Sequence, residues 1–164
     1  IYFLAHKNET PNLNTQDKLK EAFIKSAVAE TFFSWHYYKR TYAKGKDVDG
    51  ILKNGTIPSE FLRSMFYTFG DYRDFLFGTD ISKDHGEGSK LKVQIDSLFK
   101  NSGGKNPGDL SRDNWWKEHS KELWEVMLCV LEHFGGSKEE LVKNYNYETV
   151  KFNGDKMSLE EFAQ

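Results

Sequence analysis

Large apolar side chains recur every three or four residues over four stretches of the chain, a spacing that places them on one face of a helix. The first stretch begins at Asn14 or Thr15, both favoured N-cap residues, and ends within residues 42–45. The second begins at Pro58, because proline suits a first helical position. Gly70 within it indicates a bend or a close contact with another element. Residues 43–50 should form a polar connection between the two helices.

The third predicted helix covers residues 91–99, and the fourth is the most regular. Ser111 is a natural N-cap for the fourth helix, and Gly135-Gly136 supplies its C-terminal stop. Glycine- and lysine-bearing loops over residues 80–90 and 101–109 separate these helices. The sequence therefore predicts a mainly α fold, a helical bundle with long loops.

Two shorter signals follow the fourth helix. Asn153-Gly154 is a favoured turn pair and predicts a small hairpin. Ser158 and Glu161 have the spacing of a capping box, which predicts a last helix beginning at this point.

Aromatic residues make up 15% of the chain although hydrophobic residues reach only 38%, so a few large rings must supply much of the core. Trp115 and Trp116 lie about 100° apart on a helix and cannot share one face. We expect both to pack between helices, in preference to forming an exposed ligand platform. The predicted core comprises Phe23, Phe33, Trp35, Phe61, Met65, Phe69, Tyr72, Trp115, Trp116, Trp124 and Met127.

Charge and hydropathy exclude two classes of partner. The net charge of −2 gives no basic excess for nucleic acid, and no run of about 18 apolar residues exists for membrane insertion. The five histidines do not fall at metal-ligand spacings, and no phosphate-loop or nucleophile motif is complete. The glutamates of the fourth helix alternate with lysines like a solvated face. We expect no metal, no cofactor and no enzymatic activity.

The single cysteine, Cys129, leaves two interpretations open. One thiol cannot close a disulfide within the chain. Either Cys129 is a buried apolar residue of a reduced protein, which composition alone favours, or its partner lies outside this chain.

A run of cations leaves the first helix beside Tyr37, Tyr38 and Tyr42. Cations next to aromatic rings could bind a sulfated glycan or an acidic protein surface. The same residues would also suit a solvated helix end, where the helix dipole favours positive charge. We call these residues the basic segment: Lys39, Arg40, Lys44 and Lys46.

Three blocks carry a family resemblance: AFIKSAVAETFFSWHYYK (22–39), NGTIPSEFLRSMFYTFGDYRDFLFGTDI (54–81) and WWKEHSKELWEVMLC (115–129). Together they resemble the Duffy-binding-like domain of the variant erythrocyte membrane proteins of the falciparum malaria parasite. The resemblance implies a mainly α adhesion fold, extracellular on the infected red cell as part of a membrane-anchored protein. The implied partners are a host receptor protein or a sulfated glycan, other domains of the same surface protein, and antibodies.

The resemblance also implies that residues 1–164 are one partial domain, mainly its central helical subdomain. Cys129 matches the cysteine after the tryptophan pair, which is disulfide-bonded in relatives, so its partner would lie outside this chain. Where many relatives carry a cysteine, this chain reads Phe75-Leu76-Phe77, and the receptor is therefore not carried over. The competing hypotheses are an intracellular helical protein–protein interaction domain and a hydrolase built on the fourth helix.

Overall fold

The computed structural model describes residues 12–79, 87–100, 108–152 and 157–162. The prediction of a mainly α fold is confirmed, with seven helices and one two-stranded sheet in these ranges. None of these helices combines the length and the hydropathy that a membrane span requires. In chain order the elements are α1 (Gln16–Thr41), α2 (Val48–Lys53), α3 (Ser59–Phe77), α4 (Glu87–Phe99), α5 (Arg112–His133), α6 (Lys138–Asn144), β1 (Lys151–Phe152), β2 (Met157–Ser158) and α7 (Leu159–Phe162).

The long helices begin and end close to where the sequence predicts. The Thr15 hydroxyl accepts a hydrogen bond from the Lys18 backbone N–H, 3.1 Å away, and so caps α1. Ser111 caps α5 in the same way, accepting from the Asn114 N–H at 3.3 Å. Gly135 has a φ of +100°, and this left-handed conformation ends α5 as predicted.

Two short helices, α2 and α6, lie in segments that were not predicted to be helical. The Asp47 carboxylate caps α2 by accepting from the Gly50 N–H at 3.0 Å, and the helix buries Val48 and Leu52. In α6, Leu141 is the one buried residue. Each helix has too few apolar positions to show a helical period in the sequence, and each is fixed by burial of those positions.

The segment between α2 and α3 is held against α6. The Ile57 N–H donates to the Tyr145 hydroxyl at 2.8 Å, and the Asn144 side-chain amide donates to the Gly55 carbonyl at 2.9 Å. Gly55 has a φ of +77°, and a Cβ there would lie 2.5 Å from the Glu140 Cβ. Only glycine fits this turn.

The C-terminal signals are confirmed at the residues that the structure describes. β1 and β2 pair antiparallel, with Lys151 opposite Ser158, while the predicted turn at Asn153-Gly154 lies outside the described residues. The capping box is reciprocal. The Ser158 N–H donates to the Glu161 carboxylate at 2.8 Å, and the Glu161 N–H donates to the Ser158 hydroxyl at 3.1 Å.

The described residues fall into two compact units, and three helices contribute residues to both. Unit 1 comprises those within Ile1–Ser26 and Asp71–Ser120, and unit 2 those within Ala27–Gly70 and Lys121–Gln164. In unit 1, the Phe23 ring lies 5.3 Å from Tyr72 and 5.5 Å, edge-on, from Trp115. Burial raises the pKa of the Tyr72 phenol far above its ordinary value.

In unit 2, rings from α1, α3 and α5 form the core. Trp35 packs edge-on against Phe61, with ring centroids 4.8 Å apart, and Phe69 packs edge-on against Trp124 at 5.9 Å. The Trp124 indole N–H donates to the Tyr145 carbonyl at 2.8 Å. A Cβ at Gly70 would lie 2.9 Å from the Phe162 ring, so the close contact predicted at this glycine is present.

Every residue of the predicted core is buried except one. Phe33 is 62% exposed, and its assignment to the core is wrong. It lies two residues from Trp35, about 200° around the helix, so the two side chains must point to opposite sides. The other predicted core residues are all buried: Phe23, Trp35, Phe61, Met65, Phe69, Tyr72, Trp115, Trp116, Trp124 and Met127.

Candidate functional site

The C-terminal half of α1 and the first turns of α3 line an open groove in unit 2. Its volume is about 570 Å³, and five of its eight lining residues are aromatic. We call it the aromatic groove, and its lining residues are Phe33, Ser34, Tyr37, Tyr38, Tyr42, Glu60, Phe61 and Ser64.

The inner wall of the groove belongs to the core of unit 2. Phe61 is 2% exposed and packs against Trp35, which makes no contribution to the lining. Tyr38 stands between the core and the solvent, 5.6 Å from the Phe61 ring and stacked at 5.6 Å on Trp35. The wall is therefore fixed by the same packing that stabilises unit 2.

The outer rim of the groove consists of exposed rings. Phe33 is 62% exposed, Tyr37 53% and Tyr42 68%. Phe33 and Tyr37 are four residues apart on α1, which places them on one side of the helix axis. Tyr42 follows directly after Thr41, the last residue of α1. Tyr42 lies 6.1 Å from Tyr37 and 6.3 Å from Tyr38. Three large rings thus face the solvent next to one another.

The carboxylate of Glu60, in the first turn of α3, also lines the groove. The Tyr38 hydroxyl donates to Glu60 Oε2 at 3.4 Å. Burial, and then the nearby Glu60 charge, raise the pKa of the Tyr38 phenol. Glu60 was not identified from the sequence, because only the fold brings the start of α3 beside Tyr38, 22 residues earlier.

The basic segment does not act as a uniform patch. Lys39 Nζ lies 2.6 Å from Asp49 Oδ2, so its charge is balanced within the chain. Arg40, Lys44 and Lys46 are exposed in the last turn of α1 and the connection that follows. Three of the four predicted cations therefore face the solvent without an ion pair among the described residues.

Cys129 lies on the solvent side of α5. Its side chain is exposed, and its Sγ atom is 3.8 Å from Glu132 Oε2. The interpretation of Cys129 as a buried apolar residue is therefore wrong, because the neighbouring Met127, Leu128 and Val130 take the buried positions. Pairing with a cysteine outside this chain stays a prediction.

A metal site needs several acidic, histidine or cysteine side chains close together. In the described ranges, no three His, Cys, Asp or Glu side chains are grouped so that they could hold a metal ion. On α5, Lys121 pairs with Glu148 at 2.7 Å, 27 residues away and beyond the helix. This pair raises the pKa of Lys121 and lowers that of Glu148.

Comparisons with known proteins agree with the mainly α architecture. A family model described as the Duffy binding domain matches residues 1–159. The Duffy receptor gamma form of Plasmodium knowlesi is 28% identical over 108 residues, which cover 59% of this chain and 10% of that protein. The chain thus spans a small share of its curated relative, and no solved structure matches it. Since the family model covers nearly the whole sequence, the chain belongs to the Duffy binding domain family.

Proposed function

We propose that this chain is a non-catalytic adhesion module that binds a host cell-surface receptor through the aromatic groove and the basic segment. One observation carries the proposal. In a member of the Duffy binding domain family, the rings of Phe33, Tyr37 and Tyr42 are exposed side by side. Clustered apolar rings in contact with water cost free energy, and such patches on proteins usually mark interaction sites. Tyrosine and phenylalanine are also enriched in protein interfaces.

The source and location of the protein form part of the same proposal. The relative from Plasmodium knowlesi carries the name of a receptor protein, which supports a parasite surface protein. The three blocks quoted above support the narrower assignment to the variant surface antigens of the falciparum parasite. On this proposal the chain is extracellular at the surface of the infected erythrocyte, within a longer membrane-anchored protein. Its other partners are neighbouring domains of that protein and antibodies.

The class of receptor depends on whether the basic segment or the aromatic groove supplies most of the binding energy. The basic segment suits a glycosaminoglycan or a red-cell glycan through Arg40, Lys44 and Lys46. The aromatic groove suits an endothelial adhesion protein. Binding through exposed charges weakens as salt screens them, whereas apolar contact does not.

The test is a titration of the chain with endothelial receptor ectodomains and with sulfated glycans, each at low and high salt. We expect saturable binding to one of these classes. Absence of binding to both, by the chain and by a longer protein that contains it, would overturn the proposal.

Two sets of variants locate the binding surface. Phe33→Ala with Tyr37→Ala should abolish binding through the groove, and Arg40→Glu with Lys44→Glu should abolish binding through the basic segment. Lys39 is left unchanged because reversing it would place a like charge beside Asp49. Lys117→Glu with Lys138→Glu is the matched control, since it makes the same charge change at two other exposed lysines.

A further inference from the structure

Glu60 is the one charged residue among the eight that line the aromatic groove. Five of the other lining residues are Phe or Tyr, and the remaining two are serines. A groove meant only for apolar side chains would gain nothing from a carboxylate in its wall, because covering it removes the charge from water. The position of Glu60 therefore bears on what enters the groove.

The Glu60 carboxylate is free to accept a further partner. Its one described contact is the 3.4 Å hydrogen bond from the Tyr38 hydroxyl, and no lysine, arginine or histidine within the described ranges pairs with it. The Tyr38 hydroxyl is the donor in that bond and occupies one acceptor site of the carboxylate. The remaining lone pairs of Glu60 are available to a donor that comes from outside.

The rings around Glu60 favour a positive charge as well. The faces of Tyr and Phe rings carry partial negative charge and attract a guanidinium or ammonium group within about 6 Å of the ring centre. Tyr37, Tyr38 and Tyr42 lie within 6.3 Å of a neighbouring ring, so one cation could contact two of them. An arginine has the planar shape to stack on a ring while its N–H groups reach a carboxylate.

The other two kinds of occupant fit less well. An acidic group in the groove would be repelled by the Glu60 carboxylate. Lys39, the cation next to Tyr38 in the sequence, does not offset this repulsion because it is already paired with Asp49. A wholly apolar helix would cover the Glu60 carboxylate with nothing to compensate its charge. A partner that brings its own cation removes both difficulties.

We propose that the aromatic groove receives a basic side chain, arginine by preference, from the protein receptor, with the cation stacked between tyrosine rings and hydrogen-bonded to Glu60. This inference rests on the proposed function, since it names the receptor chemistry that the groove would recognise. The basic segment, on the adjoining turn, would then contact acidic groups around that arginine. The receptor surface expected is therefore a basic residue set among apolar and acidic neighbours.

The first test uses small probes and needs no receptor. Arginine amide with its α-amino group acetylated is titrated into the chain and followed by NMR at the tyrosine and phenylalanine ring signals. Citrulline amide, its neutral isostere, and lysine amide are acetylated in the same way, so that the side chain carries the only charge of each probe. We expect saturable shifts of the groove rings with arginine amide, and binding about tenfold weaker for citrulline amide. Equal binding of the charged and neutral probes would overturn the inference, as would an absence of saturable shifts.

The second test changes Glu60 alone. Glu60→Gln keeps the shape of the side chain, and we expect it to remove the preference for arginine amide over citrulline amide. Glu139→Gln is the matched control, because Glu139 is also exposed in the first turn of a helix of unit 2 and lies outside the groove. Tyr38→Phe should keep most of the preference, since the carboxylate stays. Retained preference in Glu60→Gln would contradict the assignment.

The two proposals fail in different ways. If the probes behave as expected while no receptor binds, the groove recognises cations but the adhesion function is wrong. If a receptor binds and Phe33→Ala with Tyr37→Ala abolishes that binding, adhesion stands. In that case, equal binding of the two probes would remove only the assignment of the basic side chain.

Discussion

Trp35 and Tyr37 are two residues apart on α1 and have opposite environments. The Trp35 ring is fully buried against Phe61, whereas Tyr37 is 53% exposed and faces the groove. The same helix therefore presents an aromatic face to the core and another to the solvent. Stability should depend on the first face, and binding on the second.

Within one helix, therefore, some aromatic rings serve stability and others are available for binding, depending on the side of the helix that they occupy. Removing a buried ring leaves a cavity that the surrounding side chains fill only in part. Removing an exposed ring leaves water in its place. Substitutions on the two faces of α1 should therefore change different measured quantities.

The largest expected effect is on the buried face. Trp35→Ala should lower the free energy of unfolding by about 3–5 kcal/mol, because it removes the ring that packs on Phe61. Chemical denaturation measures this loss, and Tyr37→Ala is the control on the exposed face. If both variants lose the same stability, the distinction between the two faces is wrong.

A smaller loss should follow when the segment between α2 and α3 loses its hydrogen bond to Tyr145. Tyr145→Phe leaves the buried Ile57 N–H without its acceptor, and we expect a loss of about 1–3 kcal/mol. Tyr42→Phe removes an exposed hydroxyl and serves as the comparison. Equal unfolding midpoints for the two variants would show that the bond to Tyr145 contributes nothing.

The contrast between buried and exposed rings extends to ionisation. The pKa of Tyr72 is raised by burial, so above pH 10.0, the ordinary tyrosine value, the unfolded chain loses this proton while the folded chain keeps it. The stability that Tyr72 contributes is thus full below that pH and declines as pH rises, by at most about 1.4 kcal/mol per pH unit. The free energy of unfolding, measured between about pH 8 and about pH 11, should decline less steeply with pH in Tyr72→Phe than in the wild type. An unchanged slope would contradict the raised pKa.

The smallest change in stability is expected at Phe33. Phe33→Ala should alter the free energy of unfolding by less than about 0.5 kcal/mol, as is usual at the surface. Receptor affinity should nevertheless fall by about tenfold or more if this ring is a binding residue. A large loss of stability would mean that Phe33 belongs to the core after all.

Local signals explain why much of the fold was predictable. The caps at Thr15 and Ser111, the left-handed Gly135 and the capping box at Ser158 each act over a few residues. Such bonds depend on neighbours in the sequence, so the sequence contains them in full. The ends of the long helices follow from them.

The helices α2 and α6 were missed because they are too short to show a helical period, whereas the errors in side-chain placement concern which side of an element is covered. Phe33 and Cys129 both lie in apolar stretches, yet both are exposed. The spacing of Phe33 from Trp35, and of Cys129 from Met127, gives the angle between the two side chains around the helix. Which side of the helix is packed against the core depends on residues that are distant in the sequence. Glu60 was missed for the same reason. The tyrosines of the groove were noted beside the basic segment, but the wall opposite them comes from α3.

The contact between Gly70 and Phe162 has a practical consequence for shortened versions of the protein. Phe162 covers the bare backbone of α3 at Gly70 and lies 6.2 Å from the Phe66 ring and 6.3 Å from that of Tyr67. Truncation before α7 would remove this cover and expose an apolar surface along α3. Fragments prepared for antibody or solubility work should therefore retain the short terminal helix.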